Sequence, residues 1–547
     1  MKYHVIVVGA GSAGCPLAAR LSEEAHRNVL LIEAGPHYLN QDDYPKELLR
    51  ANSAVSSTPG HPNNWSFMGK VSSKVSYPIP RGKVVGGSSA VNGTVFCRGI
   101  PDDYDGWAAE GNDEWSFDKV LSYFRKSETD HDFRDHYHGE FGPIPVRRPR
   151  AEDLLPDQSA FMAACLDAGF ARDEDKNNPA SCGVGILPMN NIDGIRINAA
   201  MAYLVPAMAR ANLTIMSNVF VRRVLFEGKT AIGVEAEKDG KTVILRGDEI
   251  VLSCGAIKSP HLLMLSGIGP ADELSKAGVR ILHDSPGVGK NFMDHPTVVV
   301  PYSLRKDWVD TPLQQLQTSL QFTASGSPWV YDLQINPCCI NPFGTSTDKS
   351  SGAGIGGAIE RFVKHPIRSL TALRGISMRR LASQIRQRNG LLLICSLQRP
   401  EGKGEIVLRS ADPHTQPELN YNYFSNGFDR LRMREAVRLA SRLLKHEAFV
   451  ALDARISAPG GSDLESDTAL DEWLLGNVFT AVHTAGSCKM GSPSDETAVV
   501  DQYCRVRGVQ KLRVVDCAIQ PTAVRRGANA TAVMIGERAA DLMRLQV

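Results

Sequence analysis

Two short blocks near the amino terminus, residues 5–8 (Val-Ile-Val-Val) and 29–32 (Val-Leu-Leu-Ile), are apolar at every position and predict strands buried on both faces. Residues 15–24 between them predict a helix with Pro16 in its first turn, where a missing N–H costs least. Further on, residues 213–234 and 243–252 alternate or run apolar with Gly and Asp-Gly punctuation, the pattern of strands joined by hairpins. Residues 405–408 and 418–421 predict two more strands, with a turn at Asp412-Pro413. Residues 428–444 carry apolar positions at helical spacing among many arginines and predict an amphipathic surface helix. Between Arg361 and Arg388 there are eight basic residues with only Glu360 nearby. Such a run could meet a membrane, a partner or an anionic substrate, but a solvated helical face is the more common reading.

A chain of 547 residues exceeds one hydrophobic core, so two or more domains are expected. With 43% hydrophobic and 22% charged residues and a net charge of +1, the composition is that of an ordinary globular protein and argues against nucleic-acid binding. The opening apolar run leads into glycines rather than a cleavage site, and no run of eighteen apolar residues occurs; neither a signal peptide nor a membrane span is expected. Eleven scattered cysteines without a C-x-x-C pair suggest free thiols, no zinc site and a cytoplasmic setting.

The predicted strand, turn and helix place Gly9-Ala10-Gly11-Ser12-Ala13-Gly14 where a dinucleotide fingerprint needs it. The first glycine permits the tight turn, the second lets backbone approach a pyrophosphate, and the third lets helix and strand pack closely. Glu33 closes the next strand about twenty residues on, where it can accept from an adenosine ribose and disfavours a 2′-phosphate. The fingerprint does not separate NAD from FAD.

A second glycine-rich stretch, Arg81-Gly82-Lys83-Val84-Val85-Gly86-Gly87-Ser88-Ser89-Ala90-Val91-Asn92-Gly93, is too rich in small residues for a simple turn and lets backbone run close to a planar ligand. It resembles the first signature of the glucose-methanol-choline (GMC) flavoprotein oxidoreductases. Residues 255–270, from Gly255-Ala256 to Gly269-Pro270, resemble the second signature, and residues 512–519 and 529–541 resemble the closing motifs. The resemblance spans residues 3 to about 545, with a less distinctive middle.

The resemblance implies an α/β and α+β architecture. A Rossmann-like FAD-binding domain would comprise residues 1–155, 190–300 and 477–547, and a substrate domain with a mainly antiparallel sheet and helices would comprise 156–189 and 301–476. Residues 405–408 and 418–421 would belong to that sheet. Gly9, Gly11, Ser12, Ala13, Gly14, Glu33 and Ala34 would hold the ADP part of FAD, and Val221 would offer backbone contacts to adenine. Arg81, Val85, Gly86, Gly87, Ser88, Asn92, Gly93 and Val95 would form the stretch beside the flavin ring. Cys254, Asp516, Cys517, Asn529, Ala530 and Thr531 complete the implied cofactor set. Members that attach FAD covalently use a histidine where this chain has Val91, so noncovalent FAD is expected.

Alcohol oxidation requires a base for the hydroxyl proton and an acceptor for the carbon-bound hydride. His483, in Val482-His483-Thr484-Ala485-Gly486, is the candidate base, since imidazole titrates near neutrality. Asn529, before a helical segment, reads as an N-cap from the residues alone; the resemblance makes it the second catalytic residue, orienting the substrate oxygen. The implied partners are a small-molecule alcohol and oxygen or another electron acceptor. A hydroxynitrile-lyase-like reaction or flavin binding without catalysis would use the same scaffold. Photodecarboxylation is disfavoured, because Gln398 stands before Arg399-Pro400 where those relatives have cysteine, and no G-x-S-x-G elbow suggests hydrolysis. Trp308, Trp329 and Asp310 are candidates for a choline-type cage.

Overall fold

A computed structural model of the chain describes residues 2–38, 40–304, 316–339 and 391–545. The basic 361–388 stretch, Trp308 and Asp310 lie outside the described residues.

The two apolar blocks form the centre of the first sheet. Tyr3–Val8 lies between Val29–Ile32 and the end of Lys241–Leu252, all parallel, with Leu213–Met216 and Leu512–Val514 extending the parallel part on either side. Every residue of Val29–Ile32 is buried, so the uninterrupted apolar run follows from covering both faces. Lys241–Leu252 is long enough to serve twice. Its first half pairs antiparallel with Thr230–Lys238, which pairs in turn with Val219–Glu227. The Asp239-Gly240 turn between Thr230–Lys238 and Lys241–Leu252 holds both residues in the left-handed region (φ 51° and 73°), as a two-residue hairpin requires.

The first helix, Gly14–Leu21, stops earlier than the pattern predicted, at Ser22, whose hydroxyl bonds the Ala19 carbonyl. It packs against the last helix, Ala528–Arg544. Gly536 allows that approach, since a β-carbon there would fall 2.3 Å from the Ala13 carbonyl oxygen. Fully buried Glu537 ties the pair together, accepting from Arg20 at 2.8 to 3.0 Å and from the Tyr203 hydroxyl at 2.7 Å. The N-terminus of the last helix is thereby fixed beside the first glycine turn.

A second sheet is antiparallel throughout and runs Arg455–Ile456, Pro296–Ser303, Leu391–Leu397, Leu333–Cys339, Thr318–Phe322, Gly183–Ile186, with Phe479–Thr480 also on Pro296–Ser303. The helix Gly427–Leu443 covers one face. It is less of a surface element than its arginines suggest, because Arg432 is buried between Asp332 (2.8 Å) and Asp429 (2.6 Å). Glu405–Val407 and Glu418–Asn420 form strands as expected but leave the large sheet. They join Phe67–Lys70 and Ser76–Ile79 in a separate four-stranded sheet. Gly69 is what lets Tyr421 in: a β-carbon there would lie 2.7 Å from its ring. No helix among the described residues is long and apolar enough to cross a membrane.

Candidate active site

A cavity of about 1870 Å³ runs between the two large sheets. It exceeds the roughly 300–1,000 Å³ of ordinary small-molecule pockets and has room for a dinucleotide and a substrate together. One end is lined by Gly9, Gly11, Ser12, Ala13, Glu33, Ala34, Val221 and Cys254. Arg81, Gly87, Ser88, Asn92, Gly93 and Val95 line the middle, with Asp516, Cys517, Asn529 and His483.

Five expected contacts do not reach this cavity. Gly14 serves packing, since a β-carbon there would sit 1.9 Å from the Gly9 carbonyl oxygen. Gly86 uses its left-handed φ of 103° to turn the chain and donates to the Ala10 carbonyl at 2.7 Å. Val85 and Ala530 are buried in the protein interior, and fully buried Thr531 spends its hydroxyl on Tyr104 at 2.8 Å. The N-cap of the last helix is Gly527, not Asn529. Asn529 is the second helical residue and lines the cavity, and its Oδ1 accepts from Ser12 Oγ at 3.1 Å, a bond that does not use the amide N–H₂.

The Glu33 carboxylate accepts from the N–H groups of Ala10 (3.1 Å) and Gly35 (2.9 Å). Burial nevertheless pushes its pKa up to about 7. Asp516 is a tie between segments, accepting from Ser259 Oγ at 2.5 Å and from the Gly255 and Ala518 N–H groups. Nearby, Lys258 bonds His261 Nδ1 at 3.0 Å, and burial lowers the lysine's pKa to about 8. The other ring nitrogen of His261, a cavity-lining residue, is buried without a partner. A buried donor left over in a cavity lined by adjacent backbone glycines fits a bound dinucleotide with ring acceptors.

Around His483 the backbone is held under strain to present one ring. Val482 has φ 59°, a conformation β-branched residues avoid. Arg81 restrains the strained segment, donating to the Val482 carbonyl at 2.6 Å and Thr484 Oγ1 at 2.5 Å. Buried Asp294 accepts from the His483 N–H at 2.9 Å and from Thr480 Oγ1.

The His483 ring meets a second histidine that the sequence did not single out. Nδ1 of His295 lies 3.0 Å from Nδ1 of His483, and Nε2 of His295 lies 3.0 Å from the Val524 carbonyl oxygen. That carbonyl can only accept, which assigns the hydrogen to His295 Nε2. Burial holds His295 neutral by lowering its pKa to about 4, so its Nδ1 is an acceptor and His483 Nδ1 must donate. His483 Nε2 is left as a lone pair, next to Gly527 at the start of the last helix: a β-carbon on Gly527 would lie 3.7 Å from it.

Family profiles described as GMC oxidoreductase match residues 3–297 and 400–536. The chain belongs to the GMC oxidoreductase family. A GMC-type oxidoreductase of Rhodococcus erythropolis, encoded in the thcA 5′ region, is 36% identical over 98% of this chain and 97% of its own length. The oxygen-dependent choline dehydrogenase of Photobacterium profundum is 35% identical over 98% and 92%. The crystal structure of pyridoxine 4-oxidase from Mesorbium loti superposes with a TM-score of 0.84 at 28% identity, covering all of both chains. This GMC protein is accordingly an FAD-dependent oxidoreductase acting on CH–OH donors, with a Rossmann-like α/β cofactor architecture. His295 was missed because its signal is spatial: Asp294-His295-Pro296 opens a strand like many others, 188 residues from its partner.

Proposed function

We propose that this GMC protein oxidises a small alcohol to an aldehyde or ketone, with His483 Nε2 as the base for the hydroxyl proton. The observation that carries this reading is the His295–His483 pair, which leaves a lone pair on Nε2 at the cavity wall. Bound FAD supplies the hydride acceptor, its N5 atom. Gly9, Gly11, Ser12 and Glu33 would hold its ADP part, and Gly87, Ser88 and Asn92 would flank its ring. The Asn529 amide, fixed by Ser12, can donate to a substrate oxygen. The N-terminus of the last helix favours negative charge developing beside it. The names of its relatives, an oxygen-dependent dehydrogenase and an oxidase, support oxygen or another acceptor for reoxidation. Residues 1–155, 190–300 and 477–547 are proposed as the FAD-binding domain, and 156–189 and 301–476 as the substrate domain. Mixing oxidised enzyme anaerobically with a panel of alcohols should bleach the flavin; no bleaching across a broad panel would overturn the reading.

Burial, the neighbouring His295 and the Arg81 charge hold the His483 pKa well below the usual imidazole value. The neutral ring is the working base and is present above its pKa. The rate of flavin reduction should therefore stay level as pH falls through 6.5, the ordinary imidazole value, and decline only well below it. A base limb centred at or above that value in stopped-flow rates would contradict the assignment.

Val91 lines the cavity and offers no nucleophile. Acid precipitation of the holoenzyme should release all the yellow colour to the supernatant, and flavin retained on the pellet would disprove noncovalent binding.

A further inference from the structure

The second sheet presents one face to the cavity. In Leu333–Cys339 the alternate residues Gln334 and Asn336 point there, as do Ile394 and Ser396 of Leu391–Leu397 and Thr297 of Pro296–Ser303. Register aligns them: Thr297 and Gln334 both pair with Ser396, and Asn336 pairs with Ile394. The first row is joined to the catalytic pair, since Thr297 Oγ1 bonds the His295 carbonyl at 3.1 Å and Ser396 Oγ at 2.9 Å. Gln334 spends its N–H on Ser319 Oγ at 3.0 Å and keeps its carbonyl oxygen. Two residues further along the strand, about 7 Å, Asn336 is only 9% exposed, and its Oδ1 is buried with no hydrogen-bond partner. A buried amide oxygen without a partner carries a desolvation cost that a hydrogen-bond donor entering the cavity would offset.

None of these five side chains carries charge. Among the described residues the carboxylates that line the cavity lie elsewhere: Glu33 and Asp516 bond backbone and serine at the cofactor end, Glu47 faces His61 at 3.4 Å, and Asp153 and Asp193 are exposed. Phe479, which pairs with Thr297 and also lines the cavity, offers an aromatic face, but among the described residues this floor holds no carboxylate to balance a trimethylammonium charge.

We infer that the substrate is a neutral alcohol with a second hydroxyl or comparable oxygen several bonds from the one oxidised, read by the Asn336 amide, and that a cationic alcohol such as choline is disfavoured. This rests on alcohol oxidation at His483. An amide suits a hydroxyl because each supplies both a donor and an acceptor. A site built to hydrogen-bond an oxygen rejects an analogue without it more strongly than an apolar pocket rejects one with it.

The test is anaerobic flavin bleaching of the holoenzyme by pentanol, a terminal pentanediol, choline and a hydroxy acid of the same length. Pentanediol should exceed both pentanol and choline in bimolecular reduction rate by roughly tenfold or more. Asn336→Leu should bring the ratio of diol to pentanol down to about parity, a readout that general damage to the fold would not move selectively. Bleaching led by choline or the hydroxy acid, a wild-type diol no better than pentanol, or a ratio unchanged in Asn336→Leu would overturn the substrate class and leave alcohol oxidation standing. No bleaching by any of the four, or by the broader panel, would overturn both. Should Asn336→Leu hold no flavin, the wild-type ranking decides.

Discussion

Replacing His483 by alanine is expected to slow anaerobic flavin reduction by roughly 10²- to 10⁴-fold, the scale of a lost general base. Three features concentrate the effect on this ring. Its Nδ1 is committed to His295, so Nε2 is the nitrogen left to take a proton. Its neutral form is favoured by burial, by the neighbouring His295 and by the charge on Arg81, which keeps the ring in its base form near neutrality. Its position is held by Arg81 and Asp294 around a residue with φ 59°, a conformation that costs of order 1–3 kcal/mol and persists only where its surroundings impose it. The proposed FAD contacts lie on other segments, so the alanine variant should still be purified yellow, separating a chemical defect from a binding one. Stopped-flow reduction within a few fold of wild type would remove His483 from the mechanism.

Much of the cofactor half is legible along the chain because its signals are local. A fully apolar strand, three spaced glycines and Glu33 fall within about thirty residues, and each does work that depends on its immediate neighbours. The reaction half is assembled differently. His295 becomes recognisable only when the strand Pro296–Ser303 brings it to the 483 segment. Gln334 and Asn336 look like ordinary polar positions of an alternating strand, and their inward orientation depends on which face of the sheet the Gly427–Leu443 helix covers. Even the glycine-rich 81–93 stretch divides once folded: Gly87 and Ser88 line the cavity, while Gly86 turns the backbone and Val85 packs inward. Spacing could not make that division, because it depends on the direction in which each backbone group points. The displaced Glu405–Val407 and Glu418–Asn420 pair makes the same point for strands: their pattern was readable, but their partners are chosen by a glycine more than three hundred residues away.

The glycines of the first turn allow a sharper separation of fold from function. A β-carbon on Gly9 would lie 2.4 Å from the Ser253 carbonyl oxygen, and one on Gly14 would lie 1.9 Å from that of Gly9; substituting either attacks the packing of strand and helix. Gly11 differs. The nearest atoms to its β-carbon are Gly87 Cα and the Ser253 carbonyl oxygen, both at 4.0 Å, and its φ is not in the left-handed region. The residue is glycine without the protein's own backbone requiring it, yet it lines the cavity where the second glycine of the fingerprint admits a pyrophosphate. Gly11→Val should therefore fold with a circular-dichroism spectrum like that of wild type, while its two methyl groups occupy cofactor space. FAD affinity should fall at least tenfold, about 1.4 kcal/mol, and the purified variant should be pale with a flavin-to-protein absorbance ratio well below wild type. Gly11→Ala, which adds only the β-carbon, should fall between the two. A fully yellow Gly11→Val enzyme would show that the cofactor does not approach this turn, and a Gly11→Val chain that fails to fold would show that the turn itself, rather than its ligand, demands glycine.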